Sequence, residues 1–142
     1  MKSHYRVVVI GGGVVGASVI YHLAKFGWSD ICMLERSVLT AGSSWHAAGG
    51  IHALNADPNI SALQAYTIDL LQEIEAESGQ DIGLHMTGGL TMAGTPDRWE
   101  WLQSQYRVYQ SIGISDCRLV TPQEARELNP IMSTEGLLGG MW

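Results

Sequence analysis

The sequence predicts an α/β fold that opens with a parallel βαβ unit and passes into a mixed or antiparallel region. Three observations predict it. The β-branched run Tyr5 to Ile10 ends in Gly11-Gly12-Gly13 and leads into a helical stretch, as a buried parallel strand does. A second short apolar run, Ile31 to Glu35, follows at the distance a parallel crossover needs. Gly136 to Trp142 reads as a strand being entered, with no cap, charged tail or polar stop. A chain end inside a strand leaves an open edge, so the sequence reads as truncated, part of a longer protein.

The remaining elements are marked by proline and glycine. Val14 to Phe26 continues as a helix that stops at Gly27. Asp57-Pro58, Thr95-Pro96 and Thr121-Pro122 each place an N-cap residue before a proline suited to the first helical position. The first of these opens a helix with Ile60, Leu63, Ile68, Leu71 and Ile74 on one face, ending at Ser78-Gly79. Leu84 to Met92 reads as a strand, interrupted or bulged at Gly88-Gly89. Trp99, Leu102, Tyr106, Tyr109 and Ile112 form another helical stripe, closed by Gly113. Arg118 to Val120 is a brief strand. Thr121 with Glu124 then forms a capping box for a short helix that Asn129-Pro130 ends.

At 142 residues the chain has the length of one domain, and its 46% hydrophobic and 15% charged residues fit a packed interior. The net charge of -6 argues, as bulk charge, against a nucleic-acid partner and is the wrong sign for an anionic membrane surface. No apolar run approaches the ~18 residues that cross a bilayer. Cys32 and Cys117 lie far apart without a CxxC pairing, which predicts neither a zinc site nor a disulfide framework and suits a reducing compartment. Folded structure beginning near Tyr5 leaves no room for a signal or transit peptide. The expected location is cytoplasmic, or the mitochondrial matrix in a eukaryote.

The chemistry concentrates in the first βαβ. Strand, Gly11-x-Gly13-x-x-Gly16, helix, second strand and Glu35 make a Rossmann-like dinucleotide fingerprint in its proper context. Gly11 permits the tight turn, Gly13 admits the pyrophosphate, and Gly16 lets the helix pack on the sheet. The pyrophosphate meets unpaired amides of the first turn, Val14 and Val15 among them, at the positive end of the helix dipole. Glu35, followed by Arg36, is placed to accept hydrogen bonds from a ribose hydroxyl pair, and its charge disfavours a 2′-phosphate. The fingerprint alone leaves FAD and NAD both open.

Leu39-Thr40-Ala41-Gly42-Ser43-Ser44-Trp45-His46-Ala47-Ala48-Gly49 narrows the choice. With the fingerprint, Tyr21 to Lys25, Gly88-Gly89-Leu90 and Leu128-Asn129-Pro130, it resembles the dimethylglycine and sarcosine dehydrogenase group of D-amino-acid-oxidase-like flavoproteins. The resemblance runs the whole chain. It implies that residues 1–142 are the N-terminal part of such a domain. Residues 1–50 would form the dinucleotide-binding unit and flavin loop, and residues 81–142 the start of a substrate-domain region. It implies FAD as cofactor, with Ser43, Ser44, Trp45, His46, Ala47 and Gly49 beside it. The histidine of the Trp-His pair carries the flavin covalently in that group, and here it is His46. The reaction implied is oxidative demethylation of a small N-methyl amino acid. The electrons pass to an acceptor such as an electron-transfer flavoprotein or oxygen. The one-carbon unit leaves as formaldehyde or is captured by tetrahydrofolate in a later domain. Catalytic residues are expected beyond Trp142. A non-covalent amine or amino-acid oxidase, and a non-enzymatic relative resembling the regulatory subunit of pyruvate dehydrogenase phosphatase, are the alternatives.

Plainer readings stand beside these. His46 as a loop histidine bonded to backbone is the reading without the resemblance. Trp45 is either core or a flavin neighbour. Ser43 and Ser44 either donate to the pyrophosphate or cap a following helix. His52 and Asp57 are too few for a metal site, and His85 packs locally in a strand. His4 and His22 have no partner pattern. Trp99, Trp101, Tyr106 and Tyr109 read as helix core, and Glu73, Glu75 and Glu77 as a solvated face.

Overall fold

The computed structural model describes residues 2–142. They form two compact units, the first ending at Gly50 and the second Ile51–Trp142.

The first unit holds β1 (Val7–Ile10), α1 (Val14–Lys25) and β2 (Ile31–Leu34). β1 and β2 pair in parallel, Val7 opposite Ile31 and Ile10 opposite Leu34, and α1 packs on both strands. The helix ends in a Schellman motif. Gly27 adopts φ 84°, its amide donates to the Ala24 carbonyl (2.9 Å) and the Trp28 amide to the Leu23 carbonyl (3.0 Å). One expectation fails here. β1 is not buried on both faces: Val7 and Val9 are half-buried while Val8 is exposed and Ile10 is 85% exposed. Among the described residues of this unit α1 is the only helix, so within the unit it covers one face of the two-stranded sheet and leaves the other open.

The second unit begins with α2 (Pro58–Ser78), followed by β3 (Thr91–Ala93), α3 (Pro96–Ser111), β4 (Leu119–Val120), α4 (Pro122–Leu128) and β5 (Gly139–Met141). Each helix starts as its sequence dictates. The Asp57 carboxylate accepts from the amides of Asn59 (2.8 Å) and Ile60 (3.1 Å). The Thr95 hydroxyl accepts from Arg98 (3.3 Å). Thr121 and Glu124 complete a reciprocal capping box. The strands form an antiparallel sheet in the order β3-β5-β4, Thr91 and Leu119 both opposite Met141. The C-terminal run is therefore the central strand, and all three of its residues are buried.

α3 lies on this sheet, and Ala93, Leu102, Tyr109, Cys117 and Met141 form the core, with Trp99 and Tyr106 packed against it. Three expectations need correcting. Trp101 is exposed and stacks under the Arg98 guanidinium, 3.9 Å from its ring centre, because it faces away from the core side of α3. On α2 the buried residues are Ser61 and Leu70, whereas Ile60 and Leu63 are exposed. α2 makes no extensive contact with the sheet, and in its first turn the Ser61 hydroxyl donates to the Ala53 carbonyl in the segment before it (2.6 Å). Finally, Leu84 to Leu90 is not strand, and pairing starts only at Thr91. Gly83 and Gly88 both take left-handed φ values (70° and 69°), which break an extended ladder, and the Trp142 ring lies against Gly88, where a side chain would overlap it. His85 consequently sits exposed in this irregular segment.

Candidate functional site: the first βα turn and the loop after β2

The site is built where β1 gives way to α1. Gly11 takes φ 104°, a conformation that favours glycine, and its amide continues the ladder by donating to the Leu34 carbonyl (2.8 Å). A Cβ on Gly16 would overlap the Gly11 carbonyl, so α1 approaches the strand end as closely as it does only because Gly16 has no side chain. Gly13 is the N-cap residue and offers no capping side chain.

Gly12, which lies between the fingerprint positions, proves equally constrained. It is buried, and a Cβ there would sit 2.6 Å from Leu39 Cδ2 and 3.3 Å from Glu35. Its amide donates to Glu35 Oε2 (2.8 Å), and the Ser37 amide donates to Glu35 Oε1 (2.8 Å). The Gly12 amide, followed by that of Ser37, holds the Glu35 carboxyl below the usual carboxylate range. The acid at the end of β2 is thus anchored beside the glycine turn. The middle glycine of Gly11-Gly12-Gly13, outside the fingerprint positions, was the available signal for this role.

After Arg36, whose side chain is exposed, the chain turns repeatedly from Leu39 to His46 and forms no helix. Ser44 therefore caps no following helix. Its hydroxyl oxygen accepts from the Val14 amide (2.8 Å) and so caps α1 from 30 residues away. The Thr40 amide donates to the Gly12 carbonyl (2.9 Å), a second tie to the same turn that the sequence did not reveal. Trp45 is 77% exposed and belongs to no core. Ser43, Ala47 and Gly49 are also exposed, and Gly49 takes φ 76°. His46 is exposed, and its Nδ1 lies 2.9 Å from the Gly42 carbonyl. A carbonyl only accepts, so Nδ1 carries a proton, and in the neutral ring the lone pair is on Nε2.

The turn suits a diphosphate. Gly13, Val15 and Gly16 amides have no protein partner among the described residues, and no acidic side chain stands in the first turn of α1 to repel an anion. The exposed Val14 and Val15 side chains offer apolar surface beside it. No cluster of three potential metal ligands occurs among the described residues, and Asp57 is engaged as the α2 cap.

The chain is 36% identical to dimethylglycine dehydrogenase of Rattus norvegicus, matched over 99% of this chain but 16% of that protein. Sarcosine dehydrogenase of Homo sapiens and the pyruvate dehydrogenase phosphatase regulatory subunit of Mus musculus are each 34% identical, matched over 100% of this chain and 16% of theirs. The chain thus spans about a sixth of these curated relatives. Glycine oxidase of Geobacillus kaustophilus superposes on 96% of the chain, and on 38% of its own, with a TM-score of 0.80 at 28% identity. Residues 6–142 match the family described as FAD dependent oxidoreductase, and to that family the chain belongs.

Proposed function

We propose that this chain forms the FAD-binding start of an enzyme that oxidises the N-methyl group of a small amino acid, of the dimethylglycine or sarcosine type. The observation that carries the reading is the His46 loop: it is tied across the first βα turn and presents an exposed histidine whose Nδ1 is taken up by the Gly42 carbonyl, which leaves Nε2 facing outward. The similarity to dimethylglycine and sarcosine dehydrogenases supports the substrate class.

In this reading the first-turn amides of α1 hold the two phosphates, with the helix dipole favouring their charge. Glu35 accepts from the ribose hydroxyls while Gly12 and Ser37 keep its carboxylate ionised and oriented. His46 is the proposed point of covalent attachment. The chemistry supplied by bound FAD is two-electron oxidation of a carbon–nitrogen centre. The electrons would leave to an electron-transfer flavoprotein or oxygen, and tetrahydrofolate would serve as the one-carbon acceptor in a later domain. A mitochondrial location is proposed for a eukaryotic host, in line with the names of the mitochondrial relatives.

A second reading is favoured by the 34% identity to a phosphatase regulatory subunit: a flavoprotein with the fold and no dehydrogenase activity. Anaerobic mixing of the holoprotein with dimethylglycine or sarcosine separates the two. Bleaching of the flavin absorbance by either substrate supports the enzyme, and an unchanged spectrum with both supports the regulatory role.

A further inference from the structure

The loop that bears His46 is held by a closed set of bonds within the first unit. Thr40 takes φ 66°, the only left-handed non-glycine among the described residues. A β-branched side chain adopts that conformation only where its surroundings impose it. From this pivot the Thr40 amide reaches Gly12, and its carbonyl receives the Trp45 amide (3.0 Å). Gly42 then accepts both the Trp45 amide (3.2 Å) and the His46 ring. Ser44 stands two residues before His46, inside this ring of bonds, and its hydroxyl oxygen takes the Val14 amide.

We propose that Ser44 is a positioning residue for His46. By accepting the Val14 amide it fixes the histidine-bearing turn to the N-terminus of α1, so the imidazole stands at a set distance from the phosphate-binding turn. The hydroxyl keeps its own proton, which is free to donate to a phosphate oxygen, so cofactor seating and imidazole placement are linked through one atom. The inference rests on the reading of His46 as the attachment point. Attachment replaces one C–H bond of the flavin ring methyl by a bond to Nε2. The methyl hydrogen and the Nδ1 proton are lost, and the two electrons pass to dioxygen, which leaves as hydrogen peroxide.

The test follows attachment in the apo form of the whole protein, reconstituted with FAD in air, comparing wild type, Ser44→Ala, Ser44→Thr and His46→Ala. Total bound flavin and flavin that stays with acid-precipitated protein are measured over time. The expected result is an Ser44→Ala protein that binds flavin but attaches it about tenfold or more slowly, as misplacement of a reacting group does. Ser44→Thr, which keeps the hydroxyl, should restore the rate. Attachment by Ser44→Ala at the wild-type rate overturns the inference and leaves the reading of His46 intact. Loss of all flavin from Ser44→Ala, without rescue by threonine, also overturns it. Acid-stable flavin absent from wild type, or present in His46→Ala, removes the reading of His46 itself and the inference with it.

Discussion

Replacing Gly16 by alanine probes the closest approach in the first unit. An added Cβ would overlap the Gly11 carbonyl oxygen and stand 3.0 Å from its carbonyl carbon, with Val9 Cγ1 at 3.5 Å behind. Carbon atoms settle at about 3.5–4.0 Å, so the start of α1 must retreat from the strand end by roughly an ångström. Overpacking of this kind costs about 1–3 kcal/mol. The better helix propensity of alanine returns about 1 kcal/mol, so the net loss of stability is modest. The loss of cofactor should be larger. A charge-assisted bond from an amide to phosphate contributes about 1.5–3 kcal/mol, and the retreat moves several amides at once. Flavin affinity is best measured by titration in a His46→Ala background of the whole protein, where attachment cannot intervene. Gly16→Ala should bind FAD at least about tenfold more weakly, equivalent to about 1.4 kcal/mol. Gly42→Ala is the control, since a Cβ there meets nothing within 4 Å. A Gly16→Ala protein with wild-type affinity would refute the argument that this glycine sets the amide positions.

Two further outcomes follow from the same structure. Because the Glu35 carboxyl is held below its ordinary 4.5 by the Gly12 and Ser37 amides, it contributes stability that is present above that value. That stability is lost as the pH falls through the lower folded value, so Glu35→Gln should flatten the acid limb of a pH-dependent unfolding series. An identical acid limb in both proteins would count against the anchoring. Leu102 is fully buried in the core of the second unit, and Leu102→Ala should cost about 2–5 kcal/mol, read as a lowered denaturation midpoint. An unchanged midpoint would mean that the core lies elsewhere.

Local chemistry was legible in the sequence, and distant pairing was not. The fingerprint glycines, the three N-cap–proline pairs and the Thr121–Glu124 box act within a few residues, so spacing alone located them. The stripe on α3 was also readable, since Leu102 and Tyr109 face a sheet built from the same unit. On α2 periodicity misled, because a face is buried only where something packs on it, and Ile60 and Leu63 stay exposed. The segment before Thr91 has strand-like composition, but left-handed glycines and the Trp142 ring prevent it from pairing. At the site, Gly11, Gly16 and Glu35 were found from pattern. The ties from Thr40 to Gly12 and from Ser44 to Val14 were invisible, because each joins residues 28 or more apart through a loop without periodicity.

The most direct measurement of the central claim is the mass of the proteolytic peptide containing His46, taken from the denatured whole holoprotein. The account predicts that this peptide carries the mass of FAD, less the two hydrogens lost on joining, with fragmentation placing the addition on the histidine. An unmodified His46 peptide from protein that was yellow before denaturation would contradict it.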